Sequence, residues 1–497
     1  MKKLVKRIIC LAMAVLMAFS GASIAMAKEK VVPVILVHGL GFNAVYENVG
    51  TDSQKEIKNL GLGDNLVSSI LGNQNLVFEF LKMIDPERAV DKDALIASLA
   101  SLVTTTLNCD DNGNVKSGQG VINYWTDSLV NHKDFYENAT VAESAIARQL
   151  VGEVGAKNVY CFNYDWRQDI CKTANDLNAF VEIVKANTGS KKVSLVGCSL
   201  GGAVLNAYMD AYKTKKDVKR YVFVNPAIMG VDVARAYAFD IKFSKKGIIK
   251  YLECMETAYN NGDSATLFRL IYALGEVRIG YAVDYLNEFI KDKNNVAKLF
   301  NEVVKPWIGN IPSLWECIPY DSFDKAVSEM SAIGFLDKNS GLYSKISYYH
   351  GVQGRIKSNL KAVKKAGAEV AIIASYGTMG IPVTSKSSNQ TDVLIDTKYA
   401  SAGATTAKYG KKLKKSSSKY QSKDRVINAK TCALKDNTWF IKDVQHMRFK
   451  YDSGATKLVA RLATGKVKSN IKAVKKKYKL GQFLKETSGN KLSNVKK

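Results

Sequence analysis

The 497 residues are 46% hydrophobic and 24% charged, enough apolar content for a large core and too much for wholesale disorder. Four histidines, with no CxxC or His-rich spacing, exclude a zinc site of ordinary pattern, and no metal or organic cofactor is implied. The formal net charge of +26 favours anionic partners in a salt-dependent way.

The chain opens with Lys2, Lys3, Lys6 and Arg7, then the apolar run Ile8–Phe19, then Ala25-Met26-Ala27. A basic start, a short apolar core and a small-x-small site describe a cleavable signal peptide, residues 1–27, cut after Ala27. The run is short for a spanning helix, which needs about 20 residues. A secreted, extracellular protein is therefore expected. The leader holds four basic residues, so the remainder carries +22. That remainder exceeds the usual need of one α/β domain, so insertions are expected.

Residues 28–230 read as the first part of a core. Val31–Val37 is a β-branched apolar run that ends at His38-Gly39-Leu40-Gly41, a strand entering a turn. A loop-rich insertion follows, about 43–134. Helical patterns cover Ala142–Leu150, Ala174–Lys185 and Gly201–Lys213, and strands cover Val193–Val196 and Tyr221–Val224. Residues 231–347 are largely helical, with Ile248–Glu253 and Ala265–Leu274 as examples, and read as an inserted cap. The core resumes over 348–456 with strands at Val370–Ala374 and Trp439–Ile441. Alternating apolar strands and helices imply an α/β architecture, a mostly parallel sheet with helices on both faces.

Lys411–Lys423 reads as an exposed mobile loop. From Lys457 to Lys497 there are 13 Lys or Arg against Glu486 alone, a basic tail suited to an anionic membrane or cell-wall surface. The tail lacks repeated aromatic interleaving, so no nucleic acid is expected. Seven cysteines follow the leader, with Cys161 and Cys171 the most local possible pair.

The sharpest motif is Gly197-Cys198-Ser199-Leu200-Gly201, a G-x-S-x-G between an apolar strand and a helix. This is the setting of a nucleophilic serine, held in a strained turn that larger flanking residues would block. Acyl transfer then needs oxyanion donors, and the N–H groups of Leu40 and Leu200 are placed to supply them. His38 precedes the serine and reads as a structural residue, because the order for such a site is serine, acid, histidine. His350 and His446 remain as bases; His446 is preferred because it follows the last strand. His132 reads as a loop residue. The acid lies in the loop after Val370–Ala374, with Asp392 preferred to Asp396, and Asp424 or Asp436 as outsiders.

His38-Gly39-Leu40-Gly41, Tyr164-Asp165-Trp166-Arg167 after the strand Asn158–Phe162, and Gly197–Gly202 resemble the lecithin:cholesterol acyltransferase-like branch of the α/β-hydrolases. Pro312-Ser313-Leu314-Trp315 and Ile318-Pro319-Tyr320 are similar to that family's cap region. The resemblance implies an α/β-hydrolase fold with an inserted, largely helical cap. It also implies Ser199 as nucleophile, Asp392 as acid and His446 as base, with Tyr164 and Trp166 beside the substrate. The family's acid is usually followed by glycine, where this chain has Val393. Expected, then, is a lipase or esterase cleaving lipid acyl esters. An O-acyltransferase using the same triad, or a non-catalytic surface-binding protein on the same fold, are the alternatives.

Overall fold

Short runs of β-branched and aromatic side chains build an eight-stranded sheet in the computed structural model, which describes residues 31–62, 66–138, 141–258, 269–449 and 453–496. The expected signal peptide lies outside the described residues. The strands are β1 (Val34–Val37), β2 (Val159–Phe162), β3 (Val193–Cys198), β4 (Val218–Val224), β5 (Glu369–Tyr376), β6 (Thr438–Lys442), β7 (Phe483–Glu486) and β8 (Leu492–Asn494). Their order across the sheet is β8-β7-β6-β5-β4-β3-β1-β2. Every pairing is parallel except that of β7 with β8.

Successive side chains of a strand face opposite ways, and here both ways are buried. Ile35, Leu195, Phe223 and Ile372 pack on one face, against helices α2 (Ile170–Thr188) and α3 (Leu200–Tyr212). Leu36, Val196, Val222 and Ile373 pack on the other, against α1 (Ala142–Val154) and a C-terminal helix, Gly454–Ala463. This two-sided cover is why the strands read as unbroken apolar runs rather than alternating ones. It also rules out the Cys161–Cys171 pair. Cys161 lies in the layer under α1, Cys171 packs in the layer under α2, and both are free.

Two further findings correct the sequence reading. The segment after Asn43, read as loop-rich, contains helices at Leu66–Gly72, Gln74–Met83 and Lys92–Ser101. Leu76, Met83, Leu95 and Leu102 from these helices pack on Ala282, Tyr285 and Leu286 of Gly275–Phe289, so the two insertions share one apolar core. The segment 231–347 is largely helical as expected, though the run Ala265–Leu274 begins outside the described residues. The supposed tail beyond Lys457 is folded. It supplies most of the helix Gly454–Ala463, the helix Ile471–Tyr478, and both β7 and β8. Leu458, Val459 and Leu462 are buried, so the lysines that dominate its composition are the exposed face of an amphipathic segment.

Candidate active site

Ser199 sits between β3 and α3 with φ +51° and ψ −119°, a conformation that a side chain tolerates only under local constraint. The turn is clamped by its own hydrogen bonds. The Ser199 N–H donates to the Val224 carbonyl at 3.0 Å, and the Ser199 carbonyl accepts from Gly202 and Ala227, each at 2.9 Å. Close approach explains two glycines. A Cβ on Gly201 would lie 2.2 Å from the Val37 carbonyl oxygen, and one on Gly39 would lie 2.9 Å from the Ser199 Cβ. The serine therefore faces the loop that ends β1. Because β1 is flanked by β2 on one side and β3 on the other, this is a switch point of the sheet, where a crevice opens beyond the strand ends.

The loops after β5 and β6 bring the other two residues. His446 Nε2 lies 2.9 Å from Ser199 Oγ, and its Nδ1 lies 2.7 Å from Asp392 Oδ2. A carboxylate accepts only, so Nδ1 carries the proton and Nε2 is left to accept from the serine hydroxyl. Asp392 is buried and doubly held. Its Oδ1 accepts from the N–H groups of Leu394 (3.1 Å) and Ile395 (2.7 Å), and its carbonyl accepts from the His446 N–H at 2.5 Å. Burial opposes protonation of His446, but the Asp392 charge, the Asp392 hydrogen bond and the Glu143 charge together raise its pKa above the ordinary 6.5. Asp396 is elsewhere: its Oδ1 caps the short helix Thr397–Ala400 through the Lys398 N–H, and its Oδ2 accepts from Asn389.

The other histidines are structural. His38 is fully buried, donates from Nδ1 to the Gly39 carbonyl and accepts at Nε2 from Asn43. Burial lowers its pKa to about 4, against a smaller opposing effect of the Gly39 carbonyl. His350 stacks on Phe323, contacts the Trp315 carbonyl and is likewise lowered by burial to about 4. His132 pairs with Asp127 and stacks on Trp125. Asp424 accepts from Ser422, Tyr376 and Lys442, and Asp436 from Tyr420, so neither outsider faces His446.

Ser199 and His446 open on a cleft of about 740 Å³ whose apolar walls include Leu40, Phe42, Phe135, Met447 and Phe449. Leu200 is buried at the start of α3. Among the described residues neither the Leu40 nor the Leu200 N–H donates to a protein acceptor. Tyr164 and Trp166 do not line this cleft, contrary to expectation. Both are buried in the core under α2; Tyr164 stacks on His38 at 4.2 Å and donates its hydroxyl to the His38 carbonyl. The rest of that motif is an ion pair. Arg167 donates from Nε and Nη2 to Asp165, and from Nη1 to the Leu107 carbonyl and Gln119, tying the first insertion to the end of β2.

Sequence reasoning missed Glu143. It lines the cleft from the first turn of α1, is 6% exposed, and accepts from the Gly39 N–H at 3.4 Å. Burial pushes its carboxyl up, against the Gly39 hydrogen bond and the His446 charge. The signal was available: Glu143 is the one charge in the apolar run Val141–Ala147, on a helix face that had to be buried. Among the described residues no cluster of three or more His, Cys, Asp or Glu could hold a metal ion.

No family model matches the chain, and no curated protein matches it. Nine chains of solved structures do match. One, described as "The crystal structure of Tle4-Tli4 complex", aligns with a TM-score of 0.26 and 12% identity over 69% of this chain and 75% of that one.

Proposed function

We propose that the chain is a secreted serine carboxylic-ester hydrolase, a lipase or esterase of the α/β-hydrolase fold in its lecithin:cholesterol acyltransferase-like branch. The observation that carries this reading is the unbroken hydrogen-bonded chain from Ser199 through His446 to Asp392. Ser199 attacks the ester carbonyl, His446 takes the hydroxyl proton, and the tetrahedral oxyanion receives the Leu40 and Leu200 N–H groups. The intermediate collapses as His446 protonates the departing alcohol, leaving an acyl-serine. Water, activated by the same histidine, then releases the acid. Asp392 holds the imidazole tautomer and balances the imidazolium. The aromatic and methionine walls of the cleft suit an acyl chain.

The test is hydrolysis of nitrophenyl esters of increasing chain length, with covalent labelling by a fluorophosphonate. Ser199→Ala should remove labelling and lower kcat by at least about a thousandfold. Equal turnover by both proteins, or labelling that survives the substitution, would overturn the reading. Diversion of the acyl group to an added alcohol would move the assignment to the O-acyltransferase that shares this triad.

A further inference from the structure

A second, larger cleft of about 1120 Å³ lies beyond the carboxyl ends of β5, β6 and β7, and it is lined by nine basic side chains against two carboxylates. The charge converges from segments far apart in sequence. The loop after the short strand Thr405–Thr406 contributes Lys411, Lys412, Lys415, Lys423 and Arg425. The helix Lys245–Ala258 of the second insertion contributes Lys250, whose ammonium lies 5.7 Å from the Tyr409 ring. Lys442 ends β6, Lys485 lies in β7, and Lys496 follows β8.

The convergence is built, not a chance of a flexible surface. Leu413 N–H donates to the Arg425 carbonyl at 2.7 Å, Gln421 donates to the Lys414 carbonyl at 2.8 Å, and Ser416 N–H donates to Gln421 at 2.9 Å. These bonds fold the lysine-rich loop back on itself and set its backbone along the cleft. Lys442 and Lys485 are register partners on adjacent parallel strands, a like-charge juxtaposition that costs free energy unless an anion compensates it. The two carboxylates do not suffice. Asp424 is taken by Lys442 at 3.1 Å, with Ser422 and Tyr376, and Asp443 offsets part of the Lys442 and Lys485 charge, which leaves the other cations of the cleft in excess. Among the described residues Lys411, Lys412, Lys415 and Lys423 have no ion-pair partner. Eight of the nine cations are lysines, point charges that engage anionic oxygens without a fixed fork geometry, and so many converging on one cleft suit a ligand of several negative charges, as phosphate groups supply.

We propose that this cleft binds a ligand bearing several phosphate groups, at a site separate from Ser199. Gln390 and Asp443, on the loops that carry Asp392 and His446, also line it, so its occupancy abuts the supports of the triad.

Inorganic triphosphate is the first probe, titrated calorimetrically into the full chain, with flotation of phosphatidylcholine vesicles containing phosphatidic acid as the second. Binding of triphosphate that competes the vesicles away identifies free phosphates as sufficient; binding of vesicles alone makes a lipid headgroup the source. In either case, reversing Lys411, Lys412, Lys415 and Lys423 to Glu should weaken binding at least about tenfold. Reversing Lys472, Lys475, Lys476 and Lys477 on the exposed face of the helix Ile471–Tyr478 should have much less effect. If the fourfold loop variant does not fold, the pairs Lys411/Lys412 and Lys415/Lys423 should each give part of the loss. Binding of neither probe, or equal loss on reversing the two lysine sets, overturns the proposal. Ser199→Ala should bind both probes normally, which keeps this outcome distinct from that of the ester-cleavage test.

Discussion

Val393 follows Asp392 with φ +88°, a region that disfavours β-branched side chains and suits glycine. The resemblance expects glycine there, and the backbone supplies the reason: the turn must swing the Leu394 and Ile395 N–H groups onto the Asp392 carboxylate. Val393→Gly should therefore raise stability by about 1 kcal/mol, relief of strain exceeding the added chain entropy, read from the urea midpoint. His446 gives a second prediction at this scale. Its Nε2 must be unprotonated to accept from Ser199, so kcat/KM should fall on the acid side with a midpoint above 6.5. Glu143→Gln removes one charge that raises the imidazole pKa and should shift that midpoint downward. The stability contribution has the opposite sense. A raised folded-state pKa stabilises the fold fully below 6.5, and this is lost as pH climbs through the higher folded value.

The turn between β3 and α3 works only because backbone passes against backbone. Gly201→Ala sets a methyl 2.2 Å from the Val37 carbonyl oxygen, where no side chain can yield. Thermal or chemical unfolding should show a loss of about 3 kcal/mol, together with loss of ester cleavage. The strand end after β2 has its own signature in the buried Asp165–Arg167 pair. Arg167→Met leaves Asp165 uncompensated and frees the Leu107 carbonyl and Gln119, so a loss of about 3–5 kcal/mol is expected in the same measurement. Tyr164 and Trp166 belong to this supporting role. Tyr164 stacks on His38 and Trp166 is buried in the same apolar layer, so truncating either should lower stability before it changes chain-length preference.

The sheet places its functional loops at one end, and its C-terminal strands are part of that construction. β6 is paired on its outer side by β7, and Leu458, Val459 and Leu462 belong to the same buried apolar layer as Trp439 and Ile441. Removing residues 454–497 should expose that face and the β6 edge, giving an insoluble or unfolded chain by solubility and circular dichroism. The same strands bring Lys485 and Lys496 to the cationic cleft, so part of the net charge is directed by the fold rather than spread over it.

The α/β alternation and six of the eight strands were legible in the sequence because strands buried on both faces must be continuous apolar runs. Ser199 was legible because its turn demands glycines at fixed offsets, and His446 and Asp392 followed from chain order and the loops after strands. The tertiary structure decided what local pattern cannot carry. It divided Cys161 from Cys171 by the thickness of the sheet and turned Tyr164 and Trp166 inward. It also seated Glu143 beside Gly39 across 104 residues, and drew lysines from distant segments into one cleft. Side-chain period and backbone strain are local and are written in neighbours. Burial, pairing and the focusing of charge depend on which distant segments meet, and only the folded chain fixes that.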